Sequence, residues 1–232
     1  MSIADEIRKH VGDTFSSAWS VRNGTVVPEP KDLNLSNDAV YFEKATVLYA
    51  DLDGSTDLVE KMKWEFSGQI YKTFLYAASR LIRQHGGSIV SYDGDRVMGV
   101  FISNRQRNEA VSCALEIHYA VSKIVQDEIK RGWKADFKIK HVIGIDTSPI
   151  RAARTGVRGD NDLVWIGNAA NLAAKLTALN ADTPIWITKA VYDVLDDAQK
   201  LDADKMDIWK SWLWNEHDNR EIFSTTYWRA IS

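Results

Sequence analysis

Two acidic segments carry the residue types best suited to chemistry: Ala50-Asp51-Leu52-Asp53-Gly54-Ser55-Thr56 and Tyr92-Asp93-Gly94-Asp95. Apolar, β-branched runs flank them, Ala45-Thr46-Val47-Leu48-Tyr49 ahead of the first and Ser88-Ile89-Val90 and Val97-Met98-Gly99-Val100-Phe101 around the second. That patterning puts Asp51 at the end of a buried strand and Asp95 at or beside a tight hairpin turn. With the two strands as neighbours, two carboxylates meet at one sheet edge beside a Gly-Ser-Thr turn with free backbone N–H groups. Oxygen ligands for a hard divalent cation and oriented amides for a polyphosphate then lie together. For Asp53 or Asp93 alone the plainer role is preferred, because an aspartate in a turn accepts backbone hydrogen bonds. A carboxylate ending a buried strand needs compensation, and a metal at Asp51 supplies it. Two ions between Asp51 and Asp95 would activate an attacking hydroxyl and hold a triphosphate. Gly54, Ser55 and Thr56 open a helix, whose amides and dipole favour phosphate.

The elements that position these groups read as βαββαβ. Residues 2 to about 19 form an amphipathic helix with Ser2 and Asp5 in its first turn and Ile3, Ile7, Val11, Phe15 and Trp19 on one stripe. It is expected to pack on the body or on a second subunit. Arg22-Asn23-Gly24 and Pro28-Glu29-Pro30 mark a linker to about residue 41. Strand 45–51 is followed by one helix from about Thr56 to His85, with apolar residues at every fourth position and Gly86-Gly87 as its stop. After the hairpin come a helix from about Arg105 to Lys130 and a strand from Phe137 to Ile145. A loop with Arg151, Arg154 and Arg158 leads to strand 163–167 and a helix from about Asn168 to Leu179. The pattern predicts an α+β fold, a ferredoxin-like core with C-terminal β/α additions and an N-terminal helix. The division is residues 1–42, helix and linker, and 43–232, one catalytic domain.

Composition narrows the function. The 232 residues are 45% hydrophobic and 26% charged, which suits one sizeable core. A net charge of -3 gives no footprint for nucleic acid. Cys113 is the only cysteine, which excludes an intrachain disulfide or a cysteine zinc site. No apolar run reaches the ~18 residues of a spanning helix and no signal-peptide core is read at the N-terminus, so the expected location is the cytoplasm. Of nine tryptophans, Trp209, Trp212, Trp214 and Trp228 crowd a strand-like C-terminal segment and are expected in core and dimer-surface packing.

Three blocks in this order resemble the catalytic domains of class III nucleotidyl cyclases: the Asp51 segment, Gly87-Ser88-Ile89-Val90 to Gly94-Asp95, and Ile166-Gly167-Asn168-Ala169-Ala170-Asn171-Leu172-Ala173-Ala174-Lys175-Leu176. The resemblance covers about residues 43 to 190. It implies that Asp51 and Asp95 bind two Mg2+ or Mn2+ ions, joined by the backbone carbonyl of Leu52. It also implies a head-to-tail homodimer with shared sites, in which Asn171 and Lys175 come from the other chain. Asn171 and Lys175 are one turn apart and project from one helical face. The resemblance gives the asparagine to the ribose and the second position, an arginine in the family, to the α-phosphate. Lysine here keeps the charge and loses the guanidinium fork. Arg151, Arg154 and Arg158 are candidates for part of that role, and Lys189, Lys210 and Arg220 for the distal phosphates.

Purine-specific members carry polar base readers at positions that fall here on about Ser91 and Val164. Val164 offers no side-chain hydrogen bond, and bulky Tyr49 and Trp165 narrow the pocket. This suits a pyrimidine. The resemblance is greatest to bacterial pyrimidine cyclases of antiphage signalling, which implies a cyclic monophosphate made from UTP, ranked above CTP, and read by a separate effector protein. Two alternatives remain: an adenylate cyclase with unconventional base recognition, selected by preference for ATP, and a silent nucleotide-binding or dimerisation module, selected by binding without pyrophosphate release. A diguanylate synthase is disfavoured by Asp93-Gly94-Asp95-Arg96 at the hairpin. An RNA-binding ferredoxin-like domain would need exposed aromatics and basic charge on its sheet.

Overall fold

A computed structural model describes residues 1–133 and 136–231. In chain order its elements are α1 (Ile3–Ser16), β1 (Ser20–Asn23), β2 (Asp38–Leu52), α2 (Ser55–Lys61), α3 (Trp64–Gln84), β3 (Ser88–Asp93), β4 (Arg96–Phe101), α4 (Gln106–Tyr119) and α5 (Gln126–Trp133). They continue as β5 (His141–Val157), β6 (Asp160–Ile166), α6 (Asn168–Leu176), β7 (Ile185–Thr188), α7 (Lys189–Tyr192), α8 (Asp197–Lys200), β8 (Lys210–Trp214) and β9 (Arg220–Thr225). One sheet runs β3-β4-β2-β5-β7-β9-β8, with β1 also pairing β2 and β6 also pairing β5. Each of its first four strands is antiparallel to its neighbour among them, in the expected ferredoxin-like order, and β7 to β9 are the C-terminal additions.

Period-two alternation along β2 sorts its side chains between two layers. Leu48, Ala50 and Leu52 join the core with Phe66, Ile70, Phe74 and Ala78 of α3 and Ala110, Val111, Ala114 and Ile117 of α4. Val47 joins Met98, Ile150 and Ala152 on the other face, under Ala169, Ala170 and Ala173 of α6. Tyr49 and Asp51 share that second face. The alanines and Gly144 let α6 lie close: a Cβ on Gly144 would collide with the Ala173 carbonyl oxygen. No described helix is long and apolar enough to cross a membrane.

Several element boundaries differ from expectation, each for a physical reason. The single helix 56–85 is two, α2 and α3, parted by extended Met62 and Lys63. A strict i+4 stripe drifts about 40° per step around a straight helix. The break resets it, so Leu58 and Phe66 are buried while Met62 is not. The Ser67 hydroxyl secures the junction by donating to the Leu58 carbonyl at 3.0 Å. The stretch read as linker contains β1, parallel to the first residues of β2. β2 begins at Asp38, whose charge hides the strand in sequence and is met by Arg22 at 3.0 Å and the Asn34 backbone N–H at 2.9 Å. β5 starts at His141 and runs on to Val157, placing Arg151 and Arg154 in a strand paired with β6 rather than in a loop. The second long helix continues from α4 through a wider π turn at Ala120–Val125 into α5. α6 ends at Leu176, with Thr177 as its cap. α1 has the expected capping box but buries none of its residues, so the body does not cover its stripe.

Candidate active site

Cross-strand register assembles the site. Asp51 pairs with Arg96, and Arg96 with Asp93. One row along, Tyr49 pairs with Met98, and Met98 with Ser91. Directly opposed residues point to one face, so Asp51, Arg96, Tyr49 and Ser91 share a surface two rows deep. Asp95 lies in the two-residue turn between β3 and β4, where Gly94 takes φ +59°, a conformation glycine adopts without a Cβ penalty. The predicted meeting of strand end and hairpin is therefore observed.

Arg96 dominates the electrostatics. Its Nε and Nη2 donate to Asp51 Oδ2 at 3.0 and 2.6 Å, and its guanidinium carbon lies 5.8 Å from the centre of the Tyr49 ring. Burial pushes the Asp51 carboxyl above the usual carboxylate range, the Arg96 guanidinium opposes that, and the Asp95 charge adds to it. The Thr177 hydroxyl gives its proton to the Ala174 carbonyl at 2.8 Å and stands 3.5 Å from Asp51 Oδ2. Asp95 Oδ2 is buried and has no hydrogen-bond partner among the described residues. A buried carboxylate oxygen without a donor calls for a cation. Among the described residues no group of three or more metal-ligating side chains occurs. Two carboxylates without a full protein cage suit a hard divalent cation that takes part of its shell from phosphates and water. The Leu52 side chain is buried in the core, so the expected contribution of that residue falls to its backbone.

Gly54, at φ +72°, turns the chain from the strand into α2. Leu58 donates the first bond of that helix to the Gly54 carbonyl at 3.0 Å. The N–H groups of Ser55, Thr56 and Asp57 therefore have no carbonyl of their own helix to bond. An anion placed there meets amides at the edge of the carboxylate pair.

The remaining predicted residues lie elsewhere. Asn171 and Lys175 share the exposed face of α6, and neither bonds to Asp51 or Asp95 among the described residues. Val164 pairs with Ala153 near one end of β5, whereas Asp51 pairs with Val142 near the other. Eleven residues of strand separate the two positions, roughly 35 Å. Trp165 lies on the core side against Phe42, ring centres 6.1 Å apart, and does not narrow the space beside Asp51 of its own chain. Arg154 donates to Asn161 Oδ1 and to the Leu33 carbonyl, both at 2.9 Å, and the Arg151 guanidinium lies over the Tyr41 ring at 4.6 Å. Lys189 is paired with Asp193 and Glu221 at 3.1 and 3.2 Å. Sequence reasoning missed Arg96 and Thr177. The signal for Arg96 was present, since the first residue after a two-residue hairpin turn pairs across the neighbouring strand.

The adenylate and guanylate cyclase catalytic domain matches residues 38–210. A uridylate cyclase of Burkholderia cepacia is 53% identical over 229 residues, covering 98% of this chain and 99% of its own. A uridylate cyclase of Xanthomonas perforans is 42% identical over 232 residues, covering 99% of each. Among solved structures, the guanylyl cyclase Cya2 superposes with a TM-score of 0.66 at 19% identity, over 80% of this chain and 93% of its own, a likeness of fold.

Proposed function

The chain belongs to the adenylate and guanylate cyclase catalytic domain family, and we propose that it converts UTP, in preference to CTP, to 3′,5′-cyclic UMP and pyrophosphate. The observation that carries the reading is the carboxylate pair: Asp95 Oδ2 has no hydrogen-bond partner among the described residues, and Asp51 shares its face with Tyr49 and Ser91. Full-length similarity to two uridylate cyclases supports the base. Asp51 and Asp95 would hold two divalent cations, Mg2+ or Mn2+, with the Leu52 carbonyl. Cations bound there would acidify the ribose 3′-hydroxyl and would neutralise charge on the departing pyrophosphate. The first-turn amides after Gly54 bind phosphates, and Tyr49 and Ser91 floor the base pocket. Asn171 orients the ribose and Lys175 steadies charge at the α-phosphorus, which positioning and electrostatics carry through in-line displacement. Those two residues act from a second copy in a head-to-tail dimer, as the resemblance implies, and Val164 with them, because Val164 and Asp51 of one chain lie too far apart to share a site. The product is read as a cytoplasmic second messenger for a separate effector in antiphage defence, on the resemblance alone.

The test is turnover of UTP, CTP, ATP and GTP, each with Mn2+, with products separated by chromatography and mass. Cyclic UMP as the main product is the expected result. A preference for ATP would overturn the base assignment. Binding without pyrophosphate from any of the four would leave a silent nucleotide module.

A further inference from the structure

We propose that Arg96 is a competitor built into the cation site: its guanidinium holds one of the two Asp51 oxygens open to a divalent cation, and its release is a step in loading the site. The inference rests on the metal reading of Asp51 and Asp95 and concerns how that site is filled. Two of the five guanidinium donors converge on one oxygen, Asp51 Oδ2, at 3.0 and 2.6 Å. Charge-assisted bonds of this kind are about twice as strong as neutral ones. The ladder imposes the contact, because Arg96 and Asp51 are direct partners across β2 and β4. The two carboxylates are thereby unequal: Asp51 Oδ2 holds Arg96, and Asp95 Oδ2 has no hydrogen-bond partner among the described residues. A cation held by both carboxylates would find Asp95 Oδ2 open and would have to displace Arg96 from Asp51 Oδ2. The arginine has somewhere to go, since its side chain is partly exposed and borders the Tyr49 ring. Cation affinity is reduced by the fraction of time Arg96 holds the oxygen.

Two measurements on the full chain test this. Mn2+ binding followed by electron paramagnetic resonance is expected to be about tenfold tighter in Arg96→Gln than in the wild type. In the wild type, the 15N resonance of the Arg96 Nε–H, identified by its loss in the variant, is expected to leave its hydrogen-bonded shift in step with Mg2+ saturation. This second readout separates displacement from the mere removal of a positive charge. Equal Mn2+ affinities, or a resonance that stays fixed while Mg2+ binds, would overturn the competitor. Asp95→Asn keeps the two failures apart: if it binds Mn2+ as the wild type does, the cation site itself is wrong.

Discussion

Asp51 is the residue on which most contacts of the site converge, touching Arg96 and Thr177 and facing the charge of Asp95. Asp51→Asn preserves its size and an acceptor for Arg96 while removing the charge a cation needs. Turnover is expected to fall by about a thousandfold, the loss of some 4 kcal/mol of transition-state stabilisation. The melting temperature should change little, since Arg96 can turn to solvent. Activity near wild type in folded Asp51→Asn protein would remove the metal assignment. Both carboxylates were legible in sequence, because strand-end and hairpin-turn positions follow from local pattern. Arg96 needed the register between two strands more than forty residues apart, and Thr177 needed the packing of α6 on the sheet. Local sequence pattern also could not show that Trp165 packs on Phe42.

At the level of elements, two junctions decide whether the site stands. The first is α6 on β5, where Gly144 meets the Ala173 carbonyl. The alanine-rich pattern of α6 announced a close approach; the partner strand was not legible. Gly144→Ala is expected to cost about 1–3 kcal/mol by overpacking, read by denaturant unfolding. Turnover should fall beyond any loss of folded protein, because the displaced helix carries Asn171 and Lys175. The second junction is α4 on β5, where His118 and His141 stand 5.1 Å apart between ring centres, each with a buried ring nitrogen that has no hydrogen-bond partner among the described residues. Burial pushes them down to about 4 and about 3. The unfolded chain, with histidines near 6.5, binds more protons than the fold, so stability must fall as pH drops below that value. By pH 5 the loss reaches up to about 4 kcal/mol for the pair. Raised Asp51 and Asp146 act with the opposite sign, adding stability as pH falls through their elevated range. Urea midpoints measured from pH 7.5 to 5 check this. A flat profile would sink it, and His141→Gln should flatten the slope whatever it does to stability at pH 7.5.

The whole molecule raises a question of geometry, since β5 is long enough to put Asp51 and Val164 near its opposite ends. A site that uses both needs a second chain running the other way, and two-fold symmetry then makes two equivalent sites per dimer. Nothing in local sequence pattern reports such a distance; it follows from strand length, and the length of β5 was underestimated because Ser148-Pro149 and two arginines interrupt its apolar alternation. The arrangement has a consequence that single substitutions do not. On the proposed reading Asp51→Asn would remove the carboxylate half of a site and Lys175→Ala the helical half, so either homodimer would have two broken sites. Mixed and allowed to exchange, the two variants form heterodimers in which one site collects both lesions and the other none. Random pairing makes half the dimers mixed with one good site of two, so activity should recover to about a quarter of wild type. The measurement is cyclic UMP formation against mixing ratio, with a maximum at equal amounts. No recovery, with heterodimers demonstrated by mass, would place the whole site within one chain and require Lys175 to act on the phosphate of its own Asp51.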